Sequence, residues 1–130
     1  MNLRVLKISL LAFFMLFSTL LLISCSKKNY AHEIERVLNI CAENTKKVNA
    51  SSMTVQEAAV YFASEMQKID VRKCPEDFRV CFQRHILAWL KFQVNDYSTH
   101  NEIQNTYEEL TLIAAKYGAR IPESIVHPKK

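Results

Sequence analysis

The chain is organised around one stretch, Cys74-Pro75-Glu76-Asp77-Phe78-Arg79-Val80-Cys81-Phe82-Gln83-Arg84-His85-Ile86-Leu87-Ala88-Trp89. Proline is tolerated at the first position of a helix, and acidic residues such as Glu76 and Asp77 suit the positive end of the helix dipole. The stretch therefore predicts a helix that begins at Pro75. Its apolar face consists of side chains at helical spacing, namely Phe78, Cys81, Phe82, His85, Trp89 and Phe92.

The remainder of the chain after residue 29 also favours helices. There is one glycine in 130 residues, and no run of alternating β-branched residues indicates a sheet. The first helix is predicted over about residues 30–48. Short connections between helices of similar length predict an all-α, up-down-up-down four-helix bundle over residues 30–118, followed by a tail at 119–130.

Local signals mark the ends of the second and fourth helices. Thr54 and Glu57 form a capping box, in which each side chain bonds the free backbone amide of the other residue. Thr99 and Glu102 have the same spacing, so the fourth helix is predicted to begin there. Gly118 provides the left-handed residue at which that helix is expected to end.

The N-terminal segment has the pattern of a secretory signal peptide. Arg4 and Lys7 precede an apolar run from Ile8 to Ile23. This run is shorter than the roughly 20 residues that a membrane-spanning helix needs. A charged start, a short apolar run and small residues at its end are typical of a cleaved signal. We therefore expect residues 1–24 to be removed.

The end of this segment, Leu22-Ile23-Ser24-Cys25, resembles the lipobox of bacterial lipoproteins. The resemblance implies that the lipoprotein signal peptidase cuts before Cys25, that this cysteine carries a thioether-linked diacylglycerol, and that its amine is acylated. Several acyl chains on one residue give a stable membrane anchor. Ser26 differs from the aspartate that retains lipoproteins in the inner membrane, which favours the periplasmic face of the outer membrane in a Gram-negative cell. The alternative is an uncleaved anchor that ends in a chance cysteine.

Residues 25–29 comprise the lipidated cysteine and a short tether. The four residues after Cys25 reach at most about 14 Å, so the bundle is expected close to the membrane surface. The formal net charge is +4, and Arg4 and Lys7 of the signal contribute to it. The remaining charge is too small and too evenly spread to predict a nucleic-acid partner. No cofactor is predicted apart from the covalent lipid.

Three cysteines follow in what is then an oxidising compartment. Cys74 and Cys81 are two helical turns apart, which exceeds the roughly 7 Å limit for a disulfide. Cys41 and Cys81 lie at similar heights in the predicted bundle, so a Cys41–Cys81 disulfide is expected. Cys74 is then a free thiol near the start of its helix, where the dipole lowers a thiol pKa. A Cys41–Cys74 bridge or an inert thiol is the alternative.

His85 is the one histidine on an apolar face. Helical bundles hold haem and metal sites in their cores. However, the chain has no Cys-x-x-Cys-His motif, no paired Glu-x-x-His and no second histidine on an apolar face. We therefore expect His85 and Trp89 to form a polar site within the core, with His85 bonded to a tyrosine or a carbonyl. No metal site is predicted.

The central helix has a second apolar surface, which we call the aliphatic strip: Val80, Leu87, Leu90 and Val94. At about 100° per residue these side chains cluster opposite the aromatic face. An apolar strip on a surface helix is either covered by the protein itself or binds another molecule. One candidate cover is the tail, through Ile121, Ile125 and Val126. The other is a partner helix or a second copy of this protein.

The chain lacks the common catalytic motifs, including Gly-x-Ser-x-Gly, His-Glu-x-x-His and a glycine-rich phosphate loop. An enzyme is therefore not expected. The expected function is a membrane-anchored interaction or accessory module of the cell envelope, with an inhibitor of an envelope-targeted enzyme as one subtype. Its partner is an unknown envelope protein or a second copy. The alternatives are a small-molecule or haem-binding bundle that uses the core around His85, and a thiol-redox protein that uses Cys74.

Overall fold

The computed structural model describes residues 30–123, and within this range the chain forms four helices and no strand. Helix α1 covers residues 30–49, and the others are α2 (Val55–Gln67), α3 (Glu76–Leu90) and α4 (Tyr97–Lys116). The predicted all-α bundle is therefore confirmed. No helix of this range is long and apolar enough to cross a membrane. The predicted signal, the lipobox and residues 124–130 lie outside the described residues.

Contacts at the two ends of the bundle establish the antiparallel order of the helices. At one end, the Gln56 amide of α2 donates to the Phe92 carbonyl just after α3, at 3.0 Å. At the opposite end, Lys116 of α4 contacts Asp77 of α3 at 2.7 Å. There the Tyr30 ring of α1 also meets the Tyr117 ring edge-on. We call the end with Gln56 the far end, and the end with Tyr30 the near end.

The core is built mainly on the aromatic face of α3, as the spacing predicts. Phe78 and Phe82 stack with their ring centroids 5.8 Å apart, and both side chains are essentially inaccessible to solvent. Apolar side chains from all four helices pack in the same cluster, among them Ile34, Val37, Leu38, Ala63, Met66, Ile86, Leu110 and Ala114. Full burial stabilises a large apolar side chain by about 1.5–3 kcal/mol, so this face of α3 positions the other three helices.

Two of the predicted helix ends are confirmed. The backbone N–H of Glu57 donates to the Thr54 hydroxyl at 3.2 Å, and the N–H of Thr54 donates to the Glu57 carboxylate at 2.7 Å, which completes the capping box of α2. Gly118 follows α4 with a φ of 74°. That left-handed conformation favours glycine because other residues have a Cβ that crowds the backbone.

Two other predicted helix starts are wrong. Pro75 has an extended ψ of 156°, so it is the N-cap and α3 begins one residue later. Helix α4 begins before Thr99, because the Asp96 side chain accepts the Ser98 N–H at 2.9 Å and acts as the N-cap. The Thr99 hydroxyl instead accepts the Gln93 N–H at 3.1 Å and so closes the turn between α3 and α4.

Candidate functional site

His85 lies inside the bundle, and both of its ring nitrogens have partners. The indole N–H of Trp89 donates to Nε2 at 3.1 Å, and Nδ1 lies 2.8 Å from the Thr106 hydroxyl. That hydroxyl donates to the Glu102 carbonyl at 2.9 Å. Because the Thr106 proton points to the backbone, its oxygen accepts from His85, and we assign the ring proton to Nδ1. The three side chains form one directed hydrogen-bond chain.

This environment keeps the imidazole neutral. Burial lowers the pKa of His85 to about 4, because the cation loses its hydration inside the bundle. The hydrogen-bond partners of His85 are Thr106 and Trp89 and not a tyrosine or a carbonyl. A metal at Nε2 would have to displace the Trp89 indole. Across residues 30–123, no cluster of three or more metal-binding side chains forms.

A cavity of about 260 Å³ lies beside His85 and Trp89, towards the far end of the bundle. All four helices contribute to its wall, and the wall contains no charged residue. Much of the wall is apolar or aromatic: Val48, Met53, Val55, Phe62, Met66, Trp89, Ile103 and Tyr107. The rings of Phe62 and Trp89 lie 5.1 Å apart, centroid to centroid. The volume is too small for a haem macrocycle, but it suits a compact organic molecule.

Asn44 of α1 is one of the polar residues that line this cavity. The residue is only 4% exposed, and no hydrogen bond within residues 30–123 involves its side chain. In this range, Arg79 Nε is the one side-chain nitrogen or oxygen that is fully enclosed and has no hydrogen-bond partner. The Asn44 amide is therefore not fully enclosed by protein. A buried polar group without a partner costs about 1–3 kcal/mol. The amide is thus available to an occupant of the cavity.

Asn44 is not among the residues predicted for the site, although the sequence contains a signal for it. It lies seven residues after Val37, three after Cys41 and four before Val48. This spacing places it on the apolar stripe of α1. A lone amide on a stripe that otherwise faces the core is a candidate for a buried polar contact.

The described cysteines, Cys41, Cys74 and Cys81, are free thiols, so the predicted Cys41–Cys81 disulfide is not formed in the structure. Cys81 faces α4, where its Sγ donates to the Thr106 carbonyl at 3.6 Å. Cys41 instead borders the cavity. The two thiols thus have different surroundings, Cys81 against α4 and Cys41 at the cavity.

The pKa of each of these thiols is raised, chiefly by burial: to about 12 for Cys41 and to about 11 for Cys74 and Cys81. The predicted lowering of the Cys74 pKa by the helix dipole is therefore wrong. Cys74 is 4% exposed, and the loss of hydration outweighs the favourable charges near it. Redox-active cysteines need the opposite shift, towards the thiolate.

The aliphatic strip remains exposed in the part of the chain that the structure describes. Val80, Leu87 and Val94 are each 51% exposed, and Leu90 is 48% exposed. Steps of seven, three and four residues separate them, which is the spacing of a helix-pairing seam. The first three lie on α3, and Val94 extends the strip past the end of the helix.

Two ion pairs between α3 and α4 border this strip on one side. Arg84 contacts Glu109 at 2.7 Å, and Lys91 contacts Glu102 at 3.7 Å. All four side chains are partly exposed, so each pair contributes little to stability. Their effect on the surface is to place a polar rim beside the aliphatic side chains.

The beginning of the tail turns towards α1. Ala119 is buried in the core cluster, and the N–H of Arg120 donates to the Glu35 carboxylate of α1 at 2.9 Å. Ile121 is 38% exposed. Ile125 and Val126 lie outside the described residues, so a cover formed by these two side chains stays a prediction.

The structure thus brings Asn44, His85 and Trp89 together around one cavity, and it leaves the aliphatic strip on a separate face. Cys74 lies in the core cluster and is not among the residues that line the cavity. Cys25 lies outside the described residues. Comparisons with protein-family models, with curated proteins and with solved structures find no match to this chain.

Proposed function

We propose that the protein is a lipid-anchored interaction module of the bacterial cell envelope, and that it presents the aliphatic strip to a helix of a partner protein. One observation carries this proposal. Three aliphatic side chains remain about half exposed on the same helix whose other face builds the core, and Val94 just after the helix is exposed to the same extent. Contiguous exposed apolar side chains with a polar rim are typical of protein interaction sites.

A helix is the partner that the geometry favours. Val80, Leu87 and Leu90, at steps of seven and three residues on α3, form a ridge, and an amphipathic helix recognises such a ridge with its own apolar face. Leu87 and Leu90 lie at the centre of the strip, and the ion pairs of Arg84 and Lys91 border it. An apolar centre with a polar rim is the ordinary arrangement of a protein interface.

The opposite face of α3 supports this role. Phe78 and Phe82 hold the helix in the core, so the backbone that carries the strip is fixed before any partner arrives. A rigid surface loses little conformational entropy on binding, which favours affinity. An inhibitor of an envelope-targeted enzyme would use such a surface in the same way.

The anchor is proposed from the Leu22-Ile23-Ser24-Cys25 run. Changing Cys25 to serine removes the sulfur to which the diacylglycerol is joined, so the chain should accumulate as an uncleaved precursor without lipid. Labelled fatty acid and mass spectrometry of the membrane fraction measure this. A Ser26→Ala variant keeps the cysteine and should be processed normally. Incorporation of labelled fatty acid into the Cys25→Ser chain would contradict the anchor.

The interaction is tested by changing Leu87 and Leu90 together to aspartate. Because both side chains are about half exposed, the double variant should stay folded, with the free energy of unfolding lowered by about 1–3 kcal/mol. Chemical crosslinks from the lipidated protein to a partner in intact envelopes should be lost, because two carboxylates would be buried at the interface without counter-charges.

Leu112 provides the matched control. It is 71% exposed on α4, outside the aliphatic strip, so Leu112→Asp should leave the crosslinks intact. Unchanged crosslinks in the double variant would refute the proposal. A crosslinked product with the mass of two copies of this chain would show that the strip binds a second copy and not a helix of another protein.

A further inference from the structure

We infer that the cavity at the far end of the bundle binds a small, uncharged and mainly apolar molecule with one hydroxyl-type or amide-type group, which the Asn44 side chain recognises. This site is separate from the aliphatic strip and goes beyond the proposed interaction.

The size of the cavity sets the size of the molecule. An apolar cavity of about 150 Å³ can hold benzene, so 260 Å³ corresponds to about ten non-hydrogen atoms by proportion. Phe62 and Trp89 form aromatic parts of the wall, and Met66 adds a flexible thioether that adapts to the shape of a ligand. A wall of this kind favours an apolar body.

The polar groups of the cavity wall determine the charge and the polar group of the ligand. No lining residue carries a formal charge, and both nitrogens of His85 are already bonded to Trp89 and Thr106. A charged ligand would therefore lose its hydration without gaining an ion pair. Asn44 offers one acceptor and two donors, and an alcohol or an amide can satisfy such a side chain.

The cavity opens towards the far end of the bundle. Asn49, Met53 and Val55 line it and are exposed to solvent, Met53 by 42% and Val55 by 52%. At 1.5 Å per residue, Val48 lies about 27 Å along α1 from Tyr30. The proposed lipid anchor precedes Tyr30 and so attaches at the near end. The opening therefore lies at the end of the bundle opposite the one that the proposed anchor joins.

The first experiment titrates the full mature protein with 1-octanol and, separately, with octanoate. Trp89 is the only tryptophan of the chain and lines the cavity, so its fluorescence reports binding directly, with calorimetry as a second readout. The expected result is saturable binding of 1-octanol at one site and at least tenfold weaker binding of octanoate. No saturable change up to the solubility limit of 1-octanol, or equal affinity for octanoate, would overturn the inference.

The second experiment locates the site with two variants. Ala58 of α2 is buried in the wall, so Ala58→Phe should fill the cavity and abolish binding, whereas Ala115→Phe at an exposed position of α4 should not. Asn44→Leu keeps the approximate volume but removes the amide. It should weaken 1-octanol about tenfold, in the range of one hydrogen bond, and leave the affinity for p-xylene unchanged.

Asn44→Leu keeps the test decisive if Ala58→Phe does not fold. Wild-type affinity for 1-octanol in this variant would show that Asn44 plays no part and would overturn the proposed recognition. Equal weakening of 1-octanol and p-xylene would show a change of cavity shape and would overturn it as well.

Discussion

Replacing Phe82 with alanine is expected to lower the free energy of unfolding by about 3–5 kcal/mol. The side chain is 2% exposed and stacks on Phe78, so its removal leaves a cavity at the centre of the four helices. A small domain has only about 5–15 kcal/mol of stability in total, so the loss is a large share of it. Urea unfolding, followed by the fluorescence of Trp89, measures the change.

Leu87 on the opposite face of α3 is the matched comparison. Its side chain is 51% exposed, so Leu87→Ala should cost less than about 1 kcal/mol. The contrast tests which face of α3 builds the core. A cost below about 1 kcal/mol for Phe82→Ala would place Phe82 outside the core and would refute the described orientation of the helix.

The stability of the bundle should also fall by about 3 kcal/mol between pH 7 and pH 4 because of His85 alone. The pKa of this residue is lowered by burial to about 4, from an ordinary value of 6.5. Between these two pH values, His85 is therefore protonated in the unfolded chain and neutral in the folded chain. The stabilising contribution is fully present above the unfolded pKa and is lost as the pH falls towards the folded pKa.

The window from pH 6.5 to pH 5.5 lies above the range in which the carboxylates titrate, because the ordinary pKa of the glutamates with lowered values, Glu43 and Glu57, is 4.5. Hydrogen bonds from Ser98, for example, lower the pKa of Asp96, so its contribution is lost only below the ordinary range of an aspartate. His85→Gln removes the titrating group and should flatten the stability curve within the window. A wild-type curve that is flat there, or an unchanged slope in His85→Gln, would contradict the buried neutral histidine.

Most of the fold can be predicted from the sequence because its signals are local. The 3.6-residue spacing of Phe78, Phe82 and their neighbours defines the core face of α3, and the Thr54–Glu57 box and Gly118 mark two helix ends. The start of α4 was misplaced because Thr99 and Glu102 have the spacing of a capping box. Asp96, three residues earlier, competes for the same role and caps the helix in the structure.

The candidate site is less predictable because its contacts join different helices. Thr106 bonds His85 across 21 residues of sequence, and no spacing rule connects the two. The volume of the cavity depends on how closely the four helices approach one another. The apolar stripe of any one helix does not determine these distances. The surroundings of the cysteines are hard to predict for a similar reason. Similar heights along two helices say nothing about the direction of Cys81, which points to α4.

The aliphatic strip can be predicted from the sequence, and its side chains are exposed in the structure. Its three members on α3 share a face opposite the aromatic residues, and all four members are about half exposed.

The central claim, that the aliphatic strip contacts a partner helix, is tested most directly by photocrosslinking from residue 87. A photoreactive side chain replaces Leu87 in the lipidated protein, the same substitution is made at Leu112 as a control, and intact envelopes are irradiated. The account predicts one dominant protein adduct from position 87, mapped by mass spectrometry to a helical segment of the partner, and its absence from position 112. An adduct from position 87 that is no more abundant than that from position 112 would contradict it.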